Sequence, residues 1–475
     1  VRRAKIVCTL GPATDAPGIT ASLVRAGMNV ARLNFSHGSH DDHLRRLQEV
    51  RGLAAAMGRP LAILQDLCGP KLRLGEIAGG PVQLVRGRPF TLSSRPVPGS
   101  ALQATLDYPG LLTYLHPGQR ILLGDGLPML RVDAVGTEEV QTTVTATGTI
   151  VSHQGVNVPD TALPISAVTE KDLADLDWGI ANGVDWVAAS FVRQAADLDP
   201  LRARMQQAGV EIPIIAKIEK REAIANLDAI IAAADGIMVA RGDLGVEMPL
   251  DQVPILQKQI IQRCNLAGKP VITATQMLES MIANPRPTRA EVSDIANAIL
   301  DGTDAVMLSG ETAVGKYPRQ AASTMARVAA RAEGLIDYTA ARRRLLELRS
   351  LTVTEAISES STAIAHDLGV RAIITSTDSG YTARMVSRYR PRPPILAVTP
   401  REDTYRRLAL VWGICPILVP PYRTTDEMVH QAITAALHSG QVRRGDTVVI
   451  TAGVPVGVPG QTNLIRVGVV GESLQ

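Results

Sequence analysis

The chain has 475 residues, with 49 basic against 46 acidic side chains and a formal charge of +3. A content of 45% hydrophobic and 20% charged residues is ordinary for a globular protein and excludes wholesale disorder. The near-neutral balance, without a basic block, argues against electrostatically driven nucleic-acid binding.

Only eight of the basic residues are lysine (Lys5, Lys71, Lys171, Lys217, Lys220, Lys258, Lys269 and Lys316), so each lysine is a position to question. Cys8, Cys68, Cys264 and Cys415 lie far apart without C-x-x-C spacing. They read as reduced thiols of a cytoplasmic protein, not a disulfide framework or a zinc site. No apolar run reaches the roughly 18 residues of a membrane span, so no membrane partner is expected. The N-terminal stretch VRRAKIVCTLGPA stops too early, at Gly-Pro, for a signal peptide and reads as a first strand.

In chain order, short Val/Ile-rich runs recur at 4–10, 28–34, 60–66, 186–191, 213–219, 236–242, 270–275 and 305–310. Runs of this kind read as strands buried on both faces of a parallel sheet. Amphipathic helix candidates separate them, among them HDDHLRRLQEVRGLAAAM, REAIANLDAIIAAA and RAEVSDIANAIL. Asp185, Asp235 and Asp304 each lead into a strand through the same kind of turn, so one βα unit is being reused. The expected fold class is α/β, a (β/α)8 TIM barrel from residues 1–70 and 164–337, close to the roughly 250 residues typical of that fold. Residues 71–163 alternate apolar with polar and are rich in Gly, Pro, Val and Thr, which predicts an inserted small β-barrel or sandwich domain. Beyond an arginine-rich helix near ARRRLLELR, strands RAIITST, PILAVTP, CPILVP, DTVVITAG and NLIRVGVV predict a C-terminal α/β domain over 338–475. Its segment VPVGVPGQTN reads as a Gly/Pro loop. One large open α/β sheet is the alternative architecture.

Barrel chemistry sits where the strands end. Here the ends carry Thr9; Arg32, Asn34 and Ser36; Asp66; Ser190; Lys217 with Glu219; Arg241 with Asp243; Thr275; and Ser309 with Glu311. In IIAKIEK, Lys217 and Glu219 share one face of an otherwise apolar strand, a costly placement unless a ligand, a metal or their own ion pair neutralises it. Glu219 and Asp243, from adjacent strands, make an oxygen-rich site suited to Mg²⁺. Gly242 could present its backbone N–H to a small carboxylate. GETAVGKY nearly matches a Walker A loop, but Tyr317 stands where a hydroxyl should hold Mg²⁺, and no G-x-G-x-x-G follows the first strand.

At KIVCTLGPAT, GMNVARLNFSHG, GVNVP, TEKD, VAASFV, IIAKIEKREAI, DGIMVARGDLGVE, the run from ATQMLESM to AVGKYP, and SRYRPRPPILAVTP, the chain resembles the pyruvate kinase family. The resemblance implies phosphoryl transfer from phosphoenolpyruvate to ADP, giving pyruvate and ATP as the last step of glycolysis, and assembly as a homotetramer. It implies that Lys217 faces the transferring phosphoryl group, that Arg32 and Arg73 grip its oxygens, and that Glu219 and Asp243 hold Mg²⁺ or Mn²⁺. It also implies that Gly242, Asp243 and Thr275 contact the substrate, with Thr275 or Ser309 on the proton route to the enolate. Asn34, Ser36, His37, Arg73 and Lys171 match nucleotide-side positions.

Many members hold K⁺ with residues matching Asn34, Ser36, Asp66 and a following threonine. Leu67 stands at the threonine position, and Lys71 stands where those members are usually acidic. The chain therefore resembles the potassium-independent subgroup, with a tethered ammonium in place of K⁺; a solvated Lys71 with K⁺ still bound is the alternative. Thr375, Ser376, Thr377, Ser379 and Gly380 resemble the family's effector loop. Asp378, Tyr381 and the loop AGVPVGVPGQTN lack the basic and Trp residues of bisphosphate-responsive members. A sugar monophosphate or AMP is the expected effector, against a plain helix-capping turn. Two other functional classes are a divalent-metal barrel lyase acting on pyruvate-like acids and a non-catalytic phosphometabolite sensor.

Overall fold

The computed structural model describes residues 2–124, 126–161, 163–348, 352–455 and 461–472. Eight parallel strands close into a barrel: Lys5–Leu10, Val30–Asn34, Ala62–Asp66, Trp186–Ala189, Ile214–Ile218, Gly236–Ala240, Val271–Ala274 and Ala305–Leu308. Each run that reads as a strand in the sequence supplies one of them. Nearly every residue in them is buried, because helices cover the outside and side chains fill the inside. Among the described residues, five helices, opening after Ser39, Thr169, Thr288, Thr352 and Thr424, begin where a hydroxyl accepts a free backbone N–H. Ser39 Oγ accepts from Asp42 N at 3.2 Å while Asp42 Oδ2 accepts from Ser39 N at 3.1 Å, opening the helix His40–Met57. The stretch REAIANLDAIIAAA is not one helix. It breaks at Asn226 into Arg221–Ala225 and Leu227–Ala233, and Asn226 Nδ2 donates to Arg193 O at 2.9 Å.

The repeated aspartates acquire a physical reason. Each sits at the foot of a strand and accepts an N–H from the start of the neighbouring strand: Asp185 from Ile63 (2.7 Å), Asp235 from Ile214 (2.9 Å) and Asp304 from Val271 (3.1 Å). The backbone N–H of each donates back to the same neighbour. The repeat is a clamp that sets register at the bottom of the barrel.

Strands Ala62–Asp66 and Trp186–Ala189 pair directly, so the chain between them leaves the barrel. There it forms a six-stranded sheet and a two-stranded companion around a core of its own, including Phe90, Leu92, Ile121, Leu130 and Val140. The alternating burial of Glu139–Ala146 matches its alternating sequence. Where this inserted lid domain leaves and rejoins the barrel, Arg193 donates to Leu163 O (2.6 Å) and Ile165 O (2.5 Å), and Asp172 Oδ1 accepts from Gly69 N (3.0 Å).

The C-terminal sheet has the strand order Ile414–Leu418, Ile395–Thr399, Ala372–Ser376, Thr447–Ala452, Leu464–Val469, the last antiparallel. Among the described residues no helix lies between Thr447–Ala452 and the last strand; residues 456–460 of the segment read as a Gly/Pro loop lie outside them. This domain docks under the barrel. Arg390 binds Asp304 at 3.0 Å with both side chains nearly buried, Arg406 reaches Asp185 at 2.7 Å, and Trp412 enters the barrel core.

Candidate active site

At the opposite end, the strand termini bring a charged cluster together. Lys217 projects from Ile214–Ile218, 11% exposed, with Nζ 2.7 Å from Ser190 Oγ, 2.9 Å from Glu219 Oε1 and 3.2 Å from Asp66 Oδ1. Burial alone would push the ammonium down, but Asp66 and Glu219 outweigh it and hold Lys217 above its ordinary value. Arg32 donates through Nε to Asp66 Oδ2 (2.6 Å) and through Nη1 to Thr9 Oγ1 (2.9 Å), which itself donates to Leu308 O. Burial would raise the Asp66 carboxyl, yet Lys217 and Arg32 keep it below the usual range. Asp66 thus divides its two oxygens between the two cations, and the mouth carries a fixed ammonium and a fixed guanidinium side by side.

Glu219 is 1% exposed, and its Oε2 accepts from Phe191 N at 2.9 Å. Phe191 holds a left-handed backbone (φ 56°), which turns its N–H onto that carboxylate. Burial raises the Glu219 carboxyl, Lys217 opposes this, and the charge of Asp243 raises it further. Two carboxylates close enough to repel are suited to a divalent cation. Among the described residues no group of three or more His, Cys, Asp or Glu could hold a metal ion, and Glu219 and Asp243 offer two hard carboxylate donors. That set fits Mg²⁺ or Mn²⁺ and not a closed zinc centre.

Thr275 is β-branched yet lies at φ 69°, and Gln276 follows at φ 54°. Thr275 Oγ1 accepts from Gly242 N (2.7 Å) and donates to Ala274 O (2.6 Å), so the Gly242 N–H is engaged by a hydroxyl here. Arg241 braces this turn through Thr275 O (2.7 Å) and Ala274 O (3.2 Å), anchored on Asp294 (2.7 Å). Its strand-end position suggests an anion ligand; the structure instead engages its guanidinium with Asp294, Gln257 and the Thr275 turn as a scaffold. Glu311 is likewise a clamp, accepting from Ser309 N (2.7 Å) and Leu278 N (3.0 Å), and it fixes the backbone at Ser309.

Among the residues expected to face a nucleotide, Asn34 Oδ1 accepts from Ser36 N (3.2 Å). Burial, and then the charges of Arg73, Lys71 and Arg32, hold His37 below its ordinary value, which groups these cations around one loop. Lys171 donates to Phe35 O (3.0 Å) and to Asp175 Oδ2 (2.5 Å). Arg73 rides on the lid, where its Nη1 donates to His153 O (3.0 Å). Lys71 lines a narrow cleft between lid and barrel with Arg193 and Lys220. Leu67 is buried. Lys316, the Walker-like lysine, is exposed, and its backbone N–H donates to Ile282 O.

The residues expected to form an effector loop lie in the other domain. Thr375 and Ser376 are buried, and among the described residues their hydroxyls have no hydrogen-bond partner. Thr377 is buried beside them, and Ser379 precedes Gly380, which caps the helix Tyr381–Arg388 at φ 81°. Sequence reasoning did not find three supports of the mouth: Ser190 as an acceptor for Lys217, Asp66 as the divider of Arg32 and Lys217, and Arg241 behind Thr275. Their strand-end positions are visible in the sequence, but their partners come from other strands.

Residues 1–322 match the family model described as pyruvate kinase, barrel domain, and residues 355–468 match pyruvate kinase, alpha/beta domain. The chain is 49% identical over 476 residues to pyruvate kinase of Geobacillus stearothermophilus, covering 100% of this chain and 81% of that one. It is 46% identical over 474 residues to pyruvate kinase of Clostridium acetobutylicum, covering 99% and 100%. To pyruvate kinase 2 of Synechocystis sp. it is 48% identical over 473 residues, covering 99% and 79%.

Proposed function

The chain belongs to the pyruvate kinase family of phosphotransferases, and on that premise we propose that its barrel mouth transfers the phosphoryl group of phosphoenolpyruvate to ADP, releasing pyruvate and ATP. The observation that carries this reading is Lys217, kept charged by Asp66 and Glu219 next to the Glu219–Asp243 pair. A largely dissociative transfer asks the protein for positioning and electrostatics, not covalent chemistry. Lys217 stabilises negative charge on the phosphoryl group in flight, and Arg32 grips its oxygens from the other side of Asp66. Glu219 and Asp243 would hold Mg²⁺ or Mn²⁺, which would supply neutralising charge for the anionic substrate.

Gly242 and Asp243 meet the substrate at the turn that Thr275 now closes. The Thr275 hydroxyl, with Ser309 and water, lies on the route that brings a proton to the enolate carbon; neither hydroxyl is acidic enough to act alone. Asn34, Ser36, His37 and Lys171 receive the nucleotide, and Arg73 arrives with the lid, whose closure keeps water from the phosphoryl group. Leu67 and Lys71 favour independence from K⁺, since one removes a ligand and the other adds a cation near His37. In the C-terminal domain, the unpartnered Thr375 and Ser376 hydroxyls support a sugar phosphate or AMP as effector. Calorimetric silence from both would favour a plain capping turn.

The test is pyruvate formation from phosphoenolpyruvate in a coupled assay with Mg²⁺, with and without ADP. Absence of activity with ADP present defeats the reading, whereas release without ADP would favour a lyase. Equal turnover in tetramethylammonium and K⁺ buffers is expected, and a drop of about tenfold without K⁺, some 1.4 kcal/mol of barrier, sinks the subgroup assignment.

A further inference from the structure

Beneath the barrel, where the first strand begins and the C-terminal sheet docks, lies a second cleft of about 690 Å³. Its walls carry Arg2, Arg3, Lys5, Arg371 and Arg392 against a single carboxylate, Asp446. Among the described residues none of the five cations takes part in an ion pair. That sets them apart from the buried arginines nearby: Arg390 and Arg388 each hold a carboxylate within 3.0 Å.

The deficit is sharpest at Lys5, which is 7% exposed. Its Nζ donates to one backbone oxygen, Ile414 O, at 2.6 Å, and burial pushes its ammonium down to about 8. Arg2 spends Nη2 on Gly27 O (2.6 Å) and Asn29 Oδ1 (2.8 Å), while among the described residues its Nη1 and the Nε of Arg3, whose guanidinium lies over Tyr338 and Trp412, have no hydrogen-bond partner. The neighbouring carboxylates are committed elsewhere. Glu333 accepts from the backbone N–H groups of Arg3 (2.9 Å) and Ala4 (2.6 Å), and Asp304 serves Arg390 and the Trp412 N–H. Unmatched charge at such burial is unfavourable unless something neutralises it.

We infer that this cleft binds a small, multiply charged phosphate anion, gripped by Lys5 and Arg2 from the barrel side and Arg371 from the C-terminal domain. Guanidinium groups suit phosphate through paired N–H donors, and a desolvated ammonium adds a compact charge. The volume is within the range of small-molecule sites. Thr375, Ser376 and the barrel-mouth residues line no part of the cleft, so the site stands apart from both regions assigned above.

Thermal unfolding of the full chain, metal-free and at constant ionic strength, tests this with two probes, inorganic phosphate and glycerol phosphate. Saturable stabilisation by phosphate alone marks a bare-ion site, and a stronger response to glycerol phosphate marks a phosphomonoester site. In either case Lys5→Met and Arg371→Ala should each weaken the response at least tenfold, while Ser376→Ala and Lys217→Met retain it. Lys5→Met should also melt no lower than the parent in phosphate-free buffer, because it removes an unpaired buried charge; an ammonium serving only Ile414 O predicts the reverse. Arg371 is exposed, so its variant reads the site even if Lys5→Met fails to fold. No saturable response to either probe, or a response untouched by both substitutions, overturns the inference.

Discussion

Lys217 is the residue on which the chemistry turns. Lys217→Met leaves Asp66 paired with Arg32 and leaves Glu219 facing Asp243 with no ammonium between them. Its kcat should fall by about 10²–10³ or more, with a smaller change in KM for phosphoenolpyruvate and an unchanged circular dichroism spectrum. A kcat within tenfold of the parent removes Lys217 from the mechanism. A second residue predicts a pH dependence. His43 stacks on Phe35 at 4.2 Å and donates from Nε2 to His37 O at 3.0 Å. Burial holds its imidazole down from 6.5 to about 4, so the folded protein keeps it neutral where the unfolded chain binds a proton. Its contribution to stability is therefore full above pH 6.5 and falls as pH drops toward 4, at no more than roughly 1.4 kcal/mol per unit. His43→Phe should flatten the melting temperature across that window; an unchanged slope would place the effect elsewhere. Lys217 and Glu219 are legible in the sequence because two charges alternating in an apolar strand form a local pattern. Asp66's double service and the stack behind His43 join separate elements, and no spacing encodes them.

Among the elements, the three strand-foot aspartates look equivalent in the sequence but are not equivalent in the fold. Asp304 and Asp185 are nearly buried and neutralise arginines of the docked C-terminal domain, whereas Asp235 is 33% exposed beside Arg202. Removing one partner of a buried pair costs roughly 3–5 kcal/mol, and loosening an exposed pair about 1 kcal/mol or less. Asp304→Asn should therefore lower the melting temperature well beyond Asp235→Asn, measured by calorimetry. Equal losses would mean that the shared backbone clamp, not the docking ion pair, sets the cost. The repeat is legible as a repeat, but burial is a property of what packs beneath each strand. The same limit applies to REAIANLDAIIAAA, whose periodicity suits one helix while Asn226 turns to bond Arg193 O.

Across the whole molecule, attachment is uneven. The C-terminal domain is tied to the barrel by buried ion pairs and by Trp412 in the core, but the lid has its own core and meets Arg193 of the barrel at Leu163. A domain with a separate core is the expected moving part, and it carries Arg73. Amide exchange should be faster at the lid hinge than at the C-terminal docking surface, and phosphoenolpyruvate with Mg²⁺ and ADP should slow it. A hinge as protected as the docking surface would contradict a closing lid. The C-terminal sheet makes the complementary argument for assembly. Its last strand, Leu464–Val469, pairs on one side with Thr447–Ala452 and ends the sheet on the other, with Val467 42% exposed. An open edge of that kind is a template for a second chain, which supports the homotetramer that the family implies. Sedimentation should give four times the monomer mass, and Val467→Asp should shift it toward a smaller species without unfolding the barrel. A monomeric parent, or a variant with unchanged mass, means that this edge is not where the copies meet.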